Sequence, residues 1–203
     1  WKVSRQRLKW DILRAVQEGA AEFGIMPRAD FNDGSNEGSG FFEVNQRGGV
    51  RWNTAKGFLR PAMKRDNLTV LTHAETESLV LEGRTVRGVR VRHQRRLTEV
   101  FADGEVLLTA GAIKSPRILE QSGIGRPDVL KELGIKVEHE SPGVGENLQD
   151  HLQIRTVYRV KGARTLNTLV NSPLGKAKMA LEYGLTRSGP LSMAPSQFGM
   201  FTK

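Results

Sequence analysis

No cysteine occurs in this chain of 203 residues, so disulfides, thiol catalysis and zinc–thiolate sites are all excluded. No apolar stretch approaches the roughly 18 residues that a membrane-spanning helix requires. The first ten residues, WKVSRQRLKW, are basic but lack the apolar core and cleavage site of a secretory signal. With 38% hydrophobic and 26% charged residues, the composition is that of a globular chain of one domain or pieces of two.

The familiar catalytic patterns are missing as well. The sequence contains no histidine pair with metal-ligand spacing, no carboxylate dyad and no G-x-S-x-G elbow. His73, His93 and His139 are scattered, so we expect them to be surface or hydrogen-bonded structural residues. Three G-x-G pairs occur, but none has the third glycine of the dinucleotide-binding G-x-G-x-x-G motif. The sequence therefore predicts neither a catalytic residue nor a metal site in this chain.

Negative charge is scarce, and the formal net charge is +9. Such an excess ordinarily suggests a nucleic-acid partner. The basic residues are dispersed, however, with small clusters at 5–7 and 87–96, and aromatic residues do not alternate with them as stacking on bases would require. We therefore expect a solvated surface and no nucleic-acid partner. A basic nucleic-acid-binding domain stays an alternative that charge alone supports.

Hydrophobic periodicity and turn residues give a coarse series of elements. Apolar residues at helical spacing predict a helix over 5–23 that ends at Gly24, followed by a glycine-rich loop over 24–50. The remaining helices are predicted over 54–64, with Thr54 as N-cap, and over 116–121, 127–133 and 174–185. Strands are predicted over 68–72, 78–81, 85–92, 96–101, 105–109, 136–138 and 152–160, with a hairpin at 102–104 and an irregular end over 188–195.

The most informative stretch joins a short apolar strand, a turn of small residues and a helix. Val106–Leu108 form the strand, Ala110–Ala112 form the turn, and Ser115 with Pro116 is typical of a helix start, with Ser115 as N-cap. Free backbone N–H groups and the helix dipole favour a phosphate at such a junction. The pattern predicts a nucleotide contact, and a tight turn without a ligand is the alternative.

The amino-acid sequence of this stretch resembles the glucose–methanol–choline family of flavoprotein oxidoreductases, and within it the choline-dehydrogenase-like alcohol dehydrogenases. The resemblance extends from about residue 20 to about residue 200. The motifs that carry it are GAIKSPRILEQSGIG at 111–125, PGVGENLQDH at 142–151, RWNTAKGFL at 51–59 and NLTVLTHA at 67–74.

This resemblance implies an α/β fold, the middle portion of a two-domain flavoprotein with an antiparallel-sheet substrate domain. Residues 1–51 would supply a helix and a loop near the flavin, residues 52–146 part of the FAD-binding domain, and residues 147–203 the start of the substrate domain. The implied activity is FAD-dependent oxidation of an alcohol to an aldehyde by hydride transfer to the flavin. The first phosphate loop and the catalytic histidine of the family have no match here, so we expect an interior piece, inactive alone, whose partners are the remainder of the parent chain and a small alcohol.

The resemblance also assigns cofactor-binding residues. Ala110, Gly111 and Ser115 would contact the flavin nucleotide, and the backbone of Thr76 would meet the adenine, where the family often has valine. An ordinary strand residue is the alternative for Thr76. The polar run 147–151 resembles a junction between the two domains rather than a catalytic base. A nucleotide-binding module without redox activity stays open as a second class of function.

Overall fold

The computed structural model describes residues 1–203. The chain divides into two compact units. The first unit consists of residues 1–68 and 156–203, and the second of residues 69–155. None of the helices combines the length and the hydropathy that a membrane crossing needs. Helices and mainly antiparallel strands alternate along the chain, so the predicted mixed α/β class is confirmed. The predicted domain boundaries after residues 51 and 146 stay a prediction.

The elements are as follows. The helices are α1 (Asp11–Glu22), a π-helical turn (Ala55–Leu59) that continues into α2 (Arg60–Ala62), α3 (Gly111–Gln121), α4 (Pro127–Glu132), α5 (Leu166–Val170), α6 (Pro173–Thr186) and a 3-10 turn (Pro190–Ser192). The strands are β1 (Gly38–Phe41), β2 (Gln46–Arg47), β3 (Val50–Arg51), β4 (Ala74–Glu82), β5 (Thr85–His93), β6 (Arg96–Phe101), β7 (Ile124–Gly125), β8 (His139–Glu140) and β9 (Phe198–Phe201).

The first helix begins at Asp11, so the prediction that it begins at residue 5 is wrong. Ser4 exchanges backbone hydrogen bonds with Val44, and the Gln6 side chain donates to the carbonyl of Phe42 at 2.9 Å. These long-range bonds hold the segment before the helix extended. The helix ends where it is predicted to end, since Gly24 adopts a φ of +85° that favours glycine.

Residues 24–50 are not one loop, because three short strands form within them. The strand β1 pairs antiparallel with β9, with Gly38 opposite Phe201 and Phe41 opposite Phe198. The strands β2 and β3 form a two-residue hairpin around Gly48 and Gly49. Glycine-rich composition predicts a loop, but a partner strand some 160 residues away converts part of it into sheet.

The helix predicted over 54–64 is present as the π-helical turn and α2. Thr54 is not its N-cap, because its own φ and ψ are already helical and its side chain makes no capping bond. Asn53 takes that role, since its Oδ1 accepts the backbone N–H of Lys56 at 3.0 Å.

In the second unit, β4, β5 and β6 form an antiparallel sheet in that order. The chain turns between β5 and β6 at Gln94 and Arg95, both with positive φ, and the predicted hairpin at 102–104 does not form. The strands predicted over 68–72 and 105–109 are absent, and Leu107 is 79% exposed. Both segments are apolar enough to be strands, but neither has a neighbouring strand in this chain to complete its hydrogen bonds.

The helix α3 begins five residues before the predicted start at Pro116. Gly111 initiates it with a φ of +89°, and Pro116 lies inside the helix. Ser115 is therefore not the N-cap. Its Oγ instead accepts the backbone N–H of Ala110 at 3.0 Å, so the side chain reaches back across the first turn and fastens the preceding residue.

Two helices are close to their predicted bounds, and two strands are not. The helix α4 begins at Pro127 and α6 runs over Pro173–Thr186. The short strand predicted over 136–138 is displaced to β8, which pairs in parallel with β7. The strand predicted over 152–160 is absent, and Leu152 is 95% exposed. On α6, Met179 is the buried residue, and Leu181 and Leu185 are exposed.

Helix α3 packs against β4, and this contact forms the core of the second unit. Leu79 of β4, Ile118 of α3 and Leu130 of α4 are buried, Leu130 completely. Ser122 follows α3 and is also buried. Its Oγ accepts the backbone N–H of Leu79 at 2.8 Å and donates to the carbonyl of Ile118. One hydroxyl thus joins the end of the helix to the middle of the strand.

We expect Leu130→Ala to lower the free energy of unfolding by about 2–5 kcal/mol, because it leaves a cavity at a fully buried position. Leu133→Ala, at the end of the same helix, removes a side chain that is 66% exposed and should cost less than about 1 kcal/mol. Urea denaturation of both variants measures the difference. Equal losses would contradict the assignment of Leu130 to the core.

We expect Gly111→Ala to destabilise the chain by about 1–2 kcal/mol, because alanine is strained at a φ of +89°. An added Cβ meets nothing within 4 Å there, so the cost is conformational rather than steric. Gly104→Ala is the control, because that position is equally open and has no positive φ. A thermal melt in which both variants match the parent chain would show that the turn does not need glycine.

Candidate functional site

An open cleft of about 650 Å³ in the second unit brings together two of the residues that the sequence singles out. Thr76, on β4, lies on one wall, and Ala110, just before α3, lies on the other. These positions are 34 residues apart, and the packing of α3 against β4 places them on one cavity. The residues that line it are His73, Ala74, Glu75, Thr76, Leu107, Leu108, Thr109, Ala110, Lys114 and Ile118.

The β4 wall of this cleft presents free backbone groups. Thr76 is half-buried and pairs with Val91 of β5, but β4 is the edge strand of its sheet. Alternate residues of an edge strand direct their N–H and C=O groups away from the neighbouring strand. This wall can therefore hydrogen-bond a ligand through backbone atoms, whatever side chain stands at Thr76.

The opposite wall is a turn with free space beside it. Ala110 and Gly111 are exposed, and a Cβ built on Gly111 meets no atom within 4 Å. No part of this chain therefore requires a small residue there for steric reasons. Gly111 is needed for its φ, and the open space leaves room for a flat group to approach the backbone closely.

A charged pair stands at the rim of the same cleft. Lys114 Nζ lies 3.6 Å from Glu75 Oε1, and both side chains are more than half exposed. A solvent-exposed pair of this kind contributes at most about 1 kcal/mol. Sequence reasoning missed both residues, because they are 39 positions apart and only the contact between β4 and α3 brings them together.

Ser115 lines a second, smaller cleft of about 380 Å³, whose far wall is the glycine motif at 143–145. Gly145 has a φ of +80°, and its Cα faces the Glu120 carboxylate so closely that a Cβ would lie 2.7 Å from Oε1. Three of the four predicted residues thus divide between two clefts, with Thr76 and Ala110 in one and Ser115 in the other. Gly111 lines neither cavity, and the bond from Ala110 N–H to Ser115 Oγ joins the two walls.

Arg126 fastens the glycine motif to the start of α4. Its guanidinium donates to Asp128 at 2.5 Å and to Glu146 at 3.0 Å. The bond from Arg126 holds the pKa of Asp128 below its ordinary value, and Asp128 and Glu146 together raise the pKa of Arg126. Arg126 and Asp128 therefore stay ionised at neutral pH, and the role of Arg126 is to position the motif rather than to transfer a proton.

The polar run 147–151 does not form an acid–base cluster. Asp150 Oδ1 accepts the backbone N–H of His151 at 2.7 Å, so the carboxylate contacts the backbone and not the imidazole. Asn147 adopts a φ of +56° that turns the chain. Across residues 1–203 no three potential ligands among His, Cys, Asp and Glu stand close enough to hold a metal ion.

Three arginines of the basic cluster at 87–96 pair with acidic neighbours. Arg87 pairs with Glu82, Arg90 with Glu99, and Arg92 with Glu77. Each pair joins neighbouring strands or the two ends of one turn. These three arginines are thus paired with carboxylates at the solvent-exposed surface of the sheet.

Known proteins are similar in sequence to this chain over most of its length. Oxygen-dependent choline dehydrogenase of Chromohalobacter salexigens is 43% identical over 152 residues, which are 74% of this chain and 27% of that protein. An alcohol dehydrogenase (acceptor) of Pseudomonas putida is 36% identical over 195 residues, 95% of this chain and 35% of that protein. The chain therefore spans about a quarter to a third of the curated relatives that it matches.

Two oxidases of known structure superpose on most of this chain. A fungal aryl-alcohol oxidase superposes with a TM-score of 0.86 at 26% identity, over 98% of this chain and 35% of that one. Pyridoxine 4-oxidase from Mesorbium loti superposes with a TM-score of 0.65 at 34% identity, over 69% of this chain and 28% of that one. A further neighbour, an FAD-dependent oxidoreductase from Chaetomium thermophilum, has the same fold, with a TM-score of 0.83 at 24% identity over 97% of this chain and 35% of that one.

The family model described as GMC oxidoreductase matches residues 3–153, about three quarters of the chain. The match includes both clefts, the turn at Ala110 and Gly111, and the glycine motif. It confirms the resemblance found in the sequence: the chain belongs to the GMC oxidoreductase family.

Proposed function

We propose that the whole protein is an FAD-dependent oxidoreductase that oxidises an alcohol to an aldehyde, and that this chain supplies part of its FAD site. The single observation that carries the proposal is the family match over residues 3–153, which includes every lining residue of the cleft between β4 and α3. FAD, when bound, accepts the hydride from the alcohol carbon. The residues of this chain bind and orient the cofactor.

The cleft between β4 and α3 suits the nucleotide portion of FAD. Its volume of about 650 Å³ lies within the usual range of small-molecule sites. The free backbone groups of the edge strand β4 can hydrogen-bond the adenine at Thr76. A planar ring system can approach Ala110 and Gly111, where no protein atom fills the space beside the turn. Ser115 contributes indirectly, by holding the backbone N–H of Ala110.

The chemistry itself lies outside the residues of this chain. Of its four histidines, His151 contacts Asp150 only through its backbone N–H, and His73 lines the proposed nucleotide cleft rather than a substrate cavity. We propose that the catalytic base is contributed by the remainder of the protein, and that the chain alone has no activity. The substrate we propose is a small primary alcohol, choline-like or other.

We propose that the remainder of the protein also accounts for two of the three predicted strands that are absent. Residues 105–109 and 152–160 keep the apolar composition of strands, with Leu107 79% and Leu152 95% exposed. We propose that strands elsewhere in the whole protein pair with both segments, since exposed apolar strand sequences are ordinarily covered. The predicted boundaries after residues 51 and 146 belong to this proposal.

The direct test is flavin content. We expect the whole protein to be yellow, with an absorbance band between about 350 and 500 nm that persists in the supernatant after denaturation, and the 203-residue chain to be colourless, because a cofactor held by several segments is lost when most are missing. A whole protein that stays colourless after FAD is added would contradict the oxidoreductase. The chain would then be better explained as part of a nucleotide-binding module without redox activity.

Two substitutions in the whole protein test the assigned contacts. Ala110→Leu should weaken FAD binding by about tenfold or more, because the side chain fills the space that the cofactor needs. Thr76→Val should leave the affinity within about twofold, because we assign the contact to backbone atoms. Both are measured by titrating the apoprotein with FAD and following flavin fluorescence, with circular dichroism as the check on folding. A large loss for Thr76→Val alone would overturn the assignment.

A further inference from the structure

The excess of positive charge is confined to the first unit. Residues 1–68 and 156–203 contain 19 lysines and arginines but only nine aspartates and glutamates, whereas residues 69–155 contain 12 and 13. Seven ion pairs form within the second unit and two within the first, Arg28 with Asp33 and Lys203 with Glu37. Most cations of the first unit therefore have no acidic partner in this chain.

One large cleft lies within this basic unit. It has a volume of about 720 Å³ and lies between the start of α1, the segment 162–164 and one face of α6. Its lining is mostly apolar, with buried Met179 and half-buried Leu8, Ile12 and Leu169. Trp10 completes this wall, and its indole N–H is already donated to Met193 Sδ at 3.5 Å. The wall thus offers an apolar surface with its polar atom satisfied.

Three cations, Lys9, Arg164 and Lys178, and two acids, Asp11 and Glu182, line the cleft around the apolar wall. Arg164 and Lys178 line the cleft and make no ion pair within 4 Å. Asp11 lies in the first turn of α1, where the helix dipole stabilises a carboxylate. The Glu182 carboxylate lies directly over Gly189, where an added Cβ would be 2.4 Å from its Cδ. Neither acid lies within 4 Å of a cation, so Arg164 and Lys178 have no acidic partner even inside the cleft.

Lys9 also borders the cleft, but its ammonium is engaged elsewhere. Its Nζ lies 4.8 Å from the centroid of the Phe41 ring, in a cation–π contact. The cations available to a ligand are thus Arg164 and Lys178. They belong to segments that join only in the fold, Arg164 just before α5 and Lys178 on α6.

We propose that this cleft binds a small amphiphilic anion, a carboxylate on an apolar body of about ten carbons. The apolar wall would receive the body, and Arg164 and Lys178 would take the carboxylate, which supplies the acidic partner that both lack. The site uses residues of the first unit alone and none of the residues assigned to FAD. It is therefore a second binding site, and its occupancy does not depend on the proposed redox function.

The test uses decanoate as the probe, below its micellar concentration, with isothermal titration calorimetry on the 203-residue chain and on the whole protein. We expect saturable binding of one equivalent to both, and no binding of decyltrimethylammonium, which has the same body and the opposite charge. A chain-terminal brominated decanoate should quench the fluorescence of Trp10, and Trp10→Phe should remove that part of the quenching.

The double variant R164E/K178E should bind decanoate about tenfold more weakly or worse, because two attractive charges become repulsive. Its matched control is K161E/K176E, which makes the same change of net charge at neighbouring positions that do not line the cleft. The control should bind within about twofold of the parent chain. Thermal melts establish that both variants fold.

Four outcomes would overturn the proposal. An equal loss in both double variants would show a general effect of net charge, and equal binding of the cationic amphiphile would show an apolar surface without charge selection. Binding to the chain but not to the whole protein would show that another part of the protein covers the cleft. No saturable binding to either would show that the cleft has no such ligand. A colourless whole protein that binds decanoate would leave this site intact while removing the proposed function.

Discussion

The packing of α3 against β4 is the contact on which the rest of the second unit depends. The Ser122 hydroxyl satisfies the backbone N–H of Leu79 and bonds the carbonyl of Ile118, so a strand and a helix share one buried polar atom. A buried hydroxyl that both donates and accepts fixes the relative position of the two elements more narrowly than apolar contact does. The separation of the two walls of the cleft between β4 and α3 follows from that position.

The candidate FAD site is built mainly from backbone rather than from side chains. An edge strand supplies free polar groups, and Gly111 provides a φ that opens the turn without a Cβ. Ser115 and Arg126 act behind this surface, the first by holding Ala110 and the second by holding the glycine motif. Such a site tolerates side-chain changes on its surface, which explains how Thr76 can replace the valine common in the family without altering the expected contact.

Sequence patterns identified the motifs more accurately than they identified the bounds of the helices and strands. Helices α4 and α6 follow from their periodicity and their proline starts, and the sheet of β4–β6 follows from alternation. The start of α3 could not be found that way, because Ser115 and Pro116 imitate an N-terminus while the chain becomes helical at Gly111. The same limit applies to β1, whose glycines indicate a loop and whose partner β9 is distant in sequence.

The sequence by itself determined the family, the absence of disulfides and the mixed α/β class, and it identified the four residues proposed for FAD. Motif sequences and composition are properties of the chain alone. Only the tertiary structure decided that Thr76 and Ala110 share a cleft, that Ser115 holds Ala110, and that the unpaired charge gathers in one unit. Ser115 and Ala110 are only five residues apart, but their bond forms because α3 begins at Gly111 rather than at Pro116. The other two relations join residues that are distant in sequence, and packing between elements sets them rather than local propensity.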